Sequence, residues 1–178
     1  MLNAKVTWIV AVLWMFGCVL LLASRASHAE DSSEKDAALQ RTRKQVRMLD
    51  DIYKGGIVLI TENYVHDDSD LPAGKAFKLL FASAKKNGWH EVRLLDATGE
   101  PLNEENSPND NFEKAAIEQL KQGKAYYEQE TQNDGKRYLR AATIVPVVMD
   151  KCIMCHAHYE DVPKGAAIGA LSYTIPIE

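Results

Sequence analysis

From Val46 onward, apolar residues recur every three or four positions, at Val46, Leu49, Tyr53, Ile57, Ile60 and Tyr64, which predicts one buried face of a long helix. Ser33 or Asp36 stands where a cap for that helix is expected, in the polar stretch from Glu30 to Asp36. Gly55-Gly56 interrupts the pattern at a cost of about 1 kcal/mol per glycine relative to alanine, so a bend or a close approach is expected there. His66-Asp67-Asp68-Ser69 ends the helix. A second helix is predicted from near Leu71, with Asp70 as cap and Pro72 in its first turn. Ala73, Phe77, Leu80 and Ala84 form its buried stripe, and Gly88 stops it.

The pattern then shortens. His90 to Leu95 reads as a strand closed by Asp96-Ala97-Thr98-Gly99, and Pro101 to Asn109 as a polar loop. A third helix carries Phe112, Ala116 and Leu120 and stops at Gly123. Tyr126 and Tyr127, the turn Asn133-Asp134-Gly135 and the β-branched run from Tyr138 to Val148 predict a hairpin, and Ile168 to Ile177 a last strand. The expected class is α+β: an antiparallel sheet with helices on one face, preceded by a long N-terminal helix. No repeat, low-complexity tract or second domain is visible.

Composition changes the picture in one respect. The 178 residues contain 21 Lys+Arg and 25 Asp+Glu, but residues 1–29 hold only Lys5 and Arg25 and no acid. Residues 30–178 are therefore net acidic, with no basic stripe for phosphate neutralisation, which argues against a nucleic-acid partner. Lys5, the apolar run Val6 to Ala23 and Ser27-His28-Ala29 predict an export signal cleaved before Glu30, or an uncleaved N-terminal anchor. A lipid-modified Cys18 fits less well, because the apolar run continues from Val19 to Ala23. The domain at 30–178 is expected in the periplasm or another extracytoplasmic space, touching a membrane only through an uncleaved leader.

The chemistry lies in Lys151-Cys152-Ile153-Met154-Cys155-His156, which contains C-x-x-C-H, the attachment signature of c-type haem. One helical turn presents both thiols to the two vinyl groups of one porphyrin, and the next imidazole lies beneath the iron. Cys152, Cys155 and His156 are thus the expected haem-binding residues, and His156 the metal ligand. Other readings remain. A Cys152–Cys155 disulfide or haem-free redox pair leaves His156 without a role, and a thioredoxin-type pair usually opens the helix of a βαβ unit. Zinc on Cys152, Cys155, His156 and His158 asks adjacent residues to fill separate corners of a tetrahedron.

From Leu94 to Ile177 the chain resembles a family of exported c-type haem proteins with a PAS-like sensor fold, also found as extracytoplasmic parts of bacterial receptors. The resemblance rests on Asn103-Glu104-Glu105-Asn106-Ser107-Pro108, Phe112-Glu113, Leu139-Arg140, Pro146, the haem motif and Gly169-Ala170-Leu171-Ser172, in that order. Gly55-Gly56 is similar upstream. The resemblance implies covalent haem c, a PAS-like sheet and a redox or small-ligand sensing role. Members carry a cysteine past the glycine pair on the long helix; Tyr64 stands at that place here, so the distal ligand is left open.

Tyr64, His66, His90 and Met48 are the candidates for the sixth position, beside an open iron. Met149, Met154 and His158 start on the proximal side. His66 and His90 otherwise read as loop histidines, Met48 as packing and Tyr64 as a pocket wall. Arg93, Arg140 and Lys151 are either haem-propionate partners or solvated charges. Three functions compete: electron transfer to a basic redox partner protein, sensing relayed through the long helix to a separate signalling partner, and a peroxidase-like enzyme with His66 as base.

Overall fold

The computed structural model describes residues 4–67 and 70–178, with side chains from Ser33 onward. In chain order the elements are α1 (Ala4–Tyr64), α2 (Ala73–Lys86), β1 (Glu91–Asp96), a 3-10 turn (Glu104–Asn106) and α3 (Asn111–Lys121). β2 (Tyr126–Asn133), β3 (Lys136–Pro146), α4 (Asp150–Cys155), a second 3-10 turn (Ala157–Tyr159) and β4 (Ala167–Pro176) complete them. The chain divides into two compact units, Met1–Gln40 and Arg41–Glu178. The first is helical wherever it is described; the leader, anchor and Cys18 readings lie outside the residues with described side chains. Among the described residues no helix is long and apolar enough to cross a membrane.

The expected cap at Ser33 or Asp36 is not there: α1 runs unbroken through both. Neither proline nor glycine lies between Glu34 and Lys54, and Glu, Lys, Ala, Gln and Arg dominate that stretch, so nothing opposes helix continuation.

The four strands form one antiparallel sheet in the order β1-β4-β3-β2. β2 and β3 meet in register from Asn133↔Lys136 to Tyr126↔Thr143, through a two-residue turn in which Asp134 and Gly135 have φ of 49° and 74°. Two positive φ values make this the hairpin turn whose twist matches the strands, which is why Asp-Gly stands there.

Side-chain alternation places layers on both faces, where the sequence pattern predicts one. Leu95, Ala142 and Ala170 point to α3 and pack with Phe112, Ala116, Ile117 and Leu120. The alternate residues of the same strands point the other way, to α1 from Arg41 onward and to α2. There the Asp50 carboxylate accepts hydrogen bonds from Thr143 Oγ1 at 2.5 Å and Tyr173 Oη at 2.9 Å, and from Lys54 at 2.9 Å. Arg43 pairs with Glu128, which also accepts from Tyr126 Oη at 2.6 Å. β4 is therefore buried on both faces over Ile168 to Tyr173.

The helix faces also shift. Val46 and Tyr53 are buried as expected, but Tyr64 is 75% exposed and the buried face passes to Val65. In α2 the stripe is Ala73, Phe77 and Phe81; Leu80 faces solvent. Tyr53 chooses this face, meeting Phe77 and Phe81 edge-on at ring distances of 6.2 and 5.0 Å. Asp70 does not cap α2, which has no side-chain cap. Its carboxylate instead accepts the backbone N–H groups of His66 at 2.7 Å and Asp67 at 3.3 Å.

Of the glycine pair, only Gly56 is at a close approach. A Cβ there would stand 2.6 Å from Cζ of Phe77, whereas one at Gly55 meets nothing within 4 Å. Phe77 is buried against Tyr53 and Phe81 and has little room to yield. Gly55→Ala should therefore stabilise by about 1 kcal/mol through helix propensity. Gly56→Ala should destabilise, the overpacking cost of about 1–3 kcal/mol outweighing the same gain; urea unfolding of the two variants reads the opposite signs. Asp50→Ala, which strands two buried hydroxyls, should cost about 2 kcal/mol or more in the same assay.

Candidate functional site

Beyond Pro146, where the β3–β4 register slips, the chain leaves the sheet, and an extended Met149 turns it into the six-residue α4. Cys152 and Cys155 lie one turn apart there, both free and half-buried. The backbone N–H of His156 closes the helix onto the carbonyl of Cys152 at 3.1 Å, and His156 itself has left helical geometry. The following 3-10 turn folds Tyr159 back, so that its ring stacks on the His156 imidazole with centroids 4.6 Å apart and planes 7° from parallel. His158 meets both rings edge-on.

This aromatic cluster is partly withdrawn from water. Burial pushes the His156 imidazole down, the His158 ring adds to this, and the charge of Asp96 opposes it. Burial, then Asp96 and Cys152, push the Tyr159 phenol up to about 12. Asp96 stands at the end of β1, held by hydrogen bonds from Thr98 Oγ1 at 2.7 Å and the Gly99 N–H at 2.6 Å. Gly169, its strand partner, has no room for a side chain, since a Cβ would lie 2.6 Å from the Leu95 carbonyl oxygen.

One nitrogen of His156, Nδ1, and one of His158, Nε2, are buried without a hydrogen-bond partner. Two free thiols one turn apart, followed by an imidazole with unused hydrogen-bonding capacity, form a donor set that fits covalent haem. Val148 and Met154, before and after Cys152 in the chain, are apolar and 57% and 41% exposed. Among the described residues no three His, Cys, Asp or Glu side chains converge to hold a metal ion, so the four-ligand zinc arrangement is not built.

The structure separates the distal candidates. Lys151 Nζ donates to the carbonyl oxygens of Val65 at 2.6 Å, Glu62 at 2.8 Å and Thr61 at 3.3 Å. The end of α1, with Tyr64 and His66, is thereby brought beside the attachment turn. Met48 is 55% exposed rather than packed, and it lies sixteen residues, about 24 Å, back along α1 from Tyr64. His90 precedes β1, whose other end carries Asp96, and its Nε2 lies 2.8 Å from Tyr53 Oη. It belongs to the α1–α2 packing and not to the attachment turn.

Each of the three cations has partners within the protein. Arg93 pairs with the buried Glu113 and donates to the carbonyls of Glu105 at 2.8 Å and Ser107 at 3.3 Å. Arg140 lies 4.2 Å above the Phe112 ring and bonds Asp110 at 2.7 Å, while Asp110 caps α3 through the Glu113 N–H at 2.9 Å. Lys151 is spent on α1. The polar stretch at 103–113 is thus a scaffold tying a loop, a helix start and two strands together. Tyr159, Asp96 and the role of Lys151 escape sequence reasoning; a tyrosine three residues after His156 was the one signal for the first.

Burial lowers the His90 imidazole below its ordinary 6.5. Its contribution to stability is whole above that unfolded-chain value and is lost as pH falls through the lower folded value. The stability difference between wild type and His90→Gln should therefore shrink as the pH is taken from 7 to 5, as read by urea unfolding across that range.

A comparison with curated proteins found no match. The model of the Tll0287-like family matches residues 25–175, which include the whole attachment turn and every strand but the last residue of β4. On that match, covering most of its length, the chain belongs to the Tll0287-like family.

Proposed function

We propose that this chain is an exported monohaem c-type cytochrome with a PAS-like fold, its haem held by Cys152 and Cys155 and its iron ligated on the proximal side by His156. The observation that carries the proposal is the attachment turn: two free thiols at C-x-x-C spacing on one helical turn, with an imidazole next in the chain. Attachment adds each S–H across one vinyl group, a redox-neutral addition. Bound there, haem supplies a one-electron ferric–ferrous couple. Tyr159 fixes the plane of the His156 ring by stacking, and Lys151 fixes the turn that carries both thiols.

Export is supported by Lys5, the apolar run from Val6 to Ala23 and the small residues at Ser27 and Ala29. An antiparallel sheet with a hairpin and a closing strand supports the PAS-like fold. The acidic balance of residues 30–178 supports electron exchange with a basic redox partner, steered by charge. Sensing is the second reading. It is favoured by the direct tie between the attachment turn and α1, through which a change at the iron reaches a separate signalling partner.

Intact-mass measurement of protein exported from cells with the cytochrome c maturation machinery should show one covalent haem. The Cys152→Ala/Cys155→Ala double variant should show none. Wild-type protein without covalent haem would overturn the proposal. Optical spectra with and without carbon monoxide then divide the roles. A low-spin spectrum unmoved by the gas marks electron transfer or redox sensing, and a responsive one marks gas sensing or peroxidase-like chemistry.

A further inference from the structure

α1 ends with four carbonyl groups that its own hydrogen-bond ladder does not use, and with the negative end of its dipole. It has no basic residue in its last turn. The cation that answers them comes from eighty-six to ninety positions further on: Lys151, the residue before the first thiol, donates to Thr61, Glu62 and Val65. An ammonium has three N–H donors, and three carbonyls receive them, two in the last turn of α1 and that of Val65 just past it. α4 itself buries no residue, so apolar packing does little to hold it, and Lys151 ties it by polar bonds to the end of α1. The far side of the same junction is closed by Asp70, on the N–H groups of His66 and Asp67.

We propose that Lys151 is a positioning residue that makes the order of the attachment turn and the order of the end of α1 depend on each other. This rests on the haem reading for its consequence, that loading the turn tightens α1, but the tie itself exists without any bound group. Coupling of this kind is reciprocal: what loosens one element loosens the other, and what fixes one fixes the other.

Hydrogen exchange on the full-length chain tests it, because local opening is read amide by amide. In haem-free protein, Lys151→Met should raise exchange about tenfold or more both at residues 61–66 and at 150–156, as expected for losing charged hydrogen bonds. The amides of β3 and β4 should stay as in wild type, and Lys151→Arg should restore both segments. Asp70→Ala, which removes the acceptor at α1's exit and does not touch α4, should loosen 150–156 as well as 61–66, and it serves if the first variant does not accumulate. In haem-loaded protein, loading should protect 61–66 in wild type and not in Lys151→Met. The reduction potential should move in Lys151→Met and return in Lys151→Arg. Loosening confined to 150–156, or equal protection of 61–66 on loading in wild type and Lys151→Met, overturns the inference. Failure of haem to attach to wild type overturns the haem proposal instead, and the haem-free exchange then decides the tie alone.

Discussion

The Asp50 carboxylate holds the long helix to the sheet, and most of the structure's geometry depends on that bond. It receives a hydroxyl from β3 and another from β4, the two central strands, and an ammonium from one turn further along its own helix. A carboxylate withdrawn from water is tolerable only when its lone pairs are occupied, and these three donors occupy them. Burial and the neighbouring Asp50 charge raise the Tyr173 phenol far above its ordinary value, so it stays a donor. An apolar face alone would let the helix roll; hydrogen bonds of fixed direction do not. They set the rotational phase of α1, which turns Val46 and Tyr53 inward and Met48, Ile52 and Leu59 outward. Three turns on, the same phase decides where α1 releases the chain, next to Lys151.

The opposite face is organised by a second carboxylate, this one buried. Glu113 is 2% exposed and lies between Arg93 of β1, Arg140 of β3 and the Asn109 N–H. Breaking one member of such a group leaves an uncompensated buried charge, so the network acts as a lock on α3. Both faces of the sheet thus use one acid on a helix and partners on the strands, and between them β4 becomes an interior strand.

Local chemistry made some of this legible in the sequence. Asp134-Gly135 marks its hairpin because few other residue pairs accept two positive φ values, and Phe112, Ala116 and Leu120 mark α3 by spacing alone. What failed depends on partners distant in sequence. Leu80 and Phe81 both extend the Ala73–Phe77 stripe at helical spacing, and only the ring of Tyr53 selects the second. The nearly unbroken apolar run of Ile168 to Tyr173 is the pattern of a strand covered on both sides, the cue to a second helix layer. Arg93 and Arg140 look like surface charges on strands until Glu113 arrives from another element. The C-x-x-C-H motif is local and was legible. The stacking of Tyr159 on His156, and the reach of Lys151 to α1, required the fold.

The attachment turn stands apart from both cores. The apolar cluster under α3 and the packing under α1 are complete without any residue of α4. The packed part of the domain is the sheet with its helices, and the proposed haem, joined to Cys152 and Cys155, would add to a surface already formed. That differs from small metal domains, where the bound ion supplies the core and the free chain is unfolded. The arrangement has a structural consequence: a turn with no buried anchor would wander, and thiols that wander cannot be presented together to one flat ring. Three devices restrain it here without burying it. The slip in register at Val145 and Pro146 sends the chain off the sheet, the ring of Tyr159 stacks on His156, and Lys151 fastens the turn to the helix whose phase Asp50 has set. Part of the order at the site is therefore borrowed from α1, and Lys151 is the side chain through which it is borrowed.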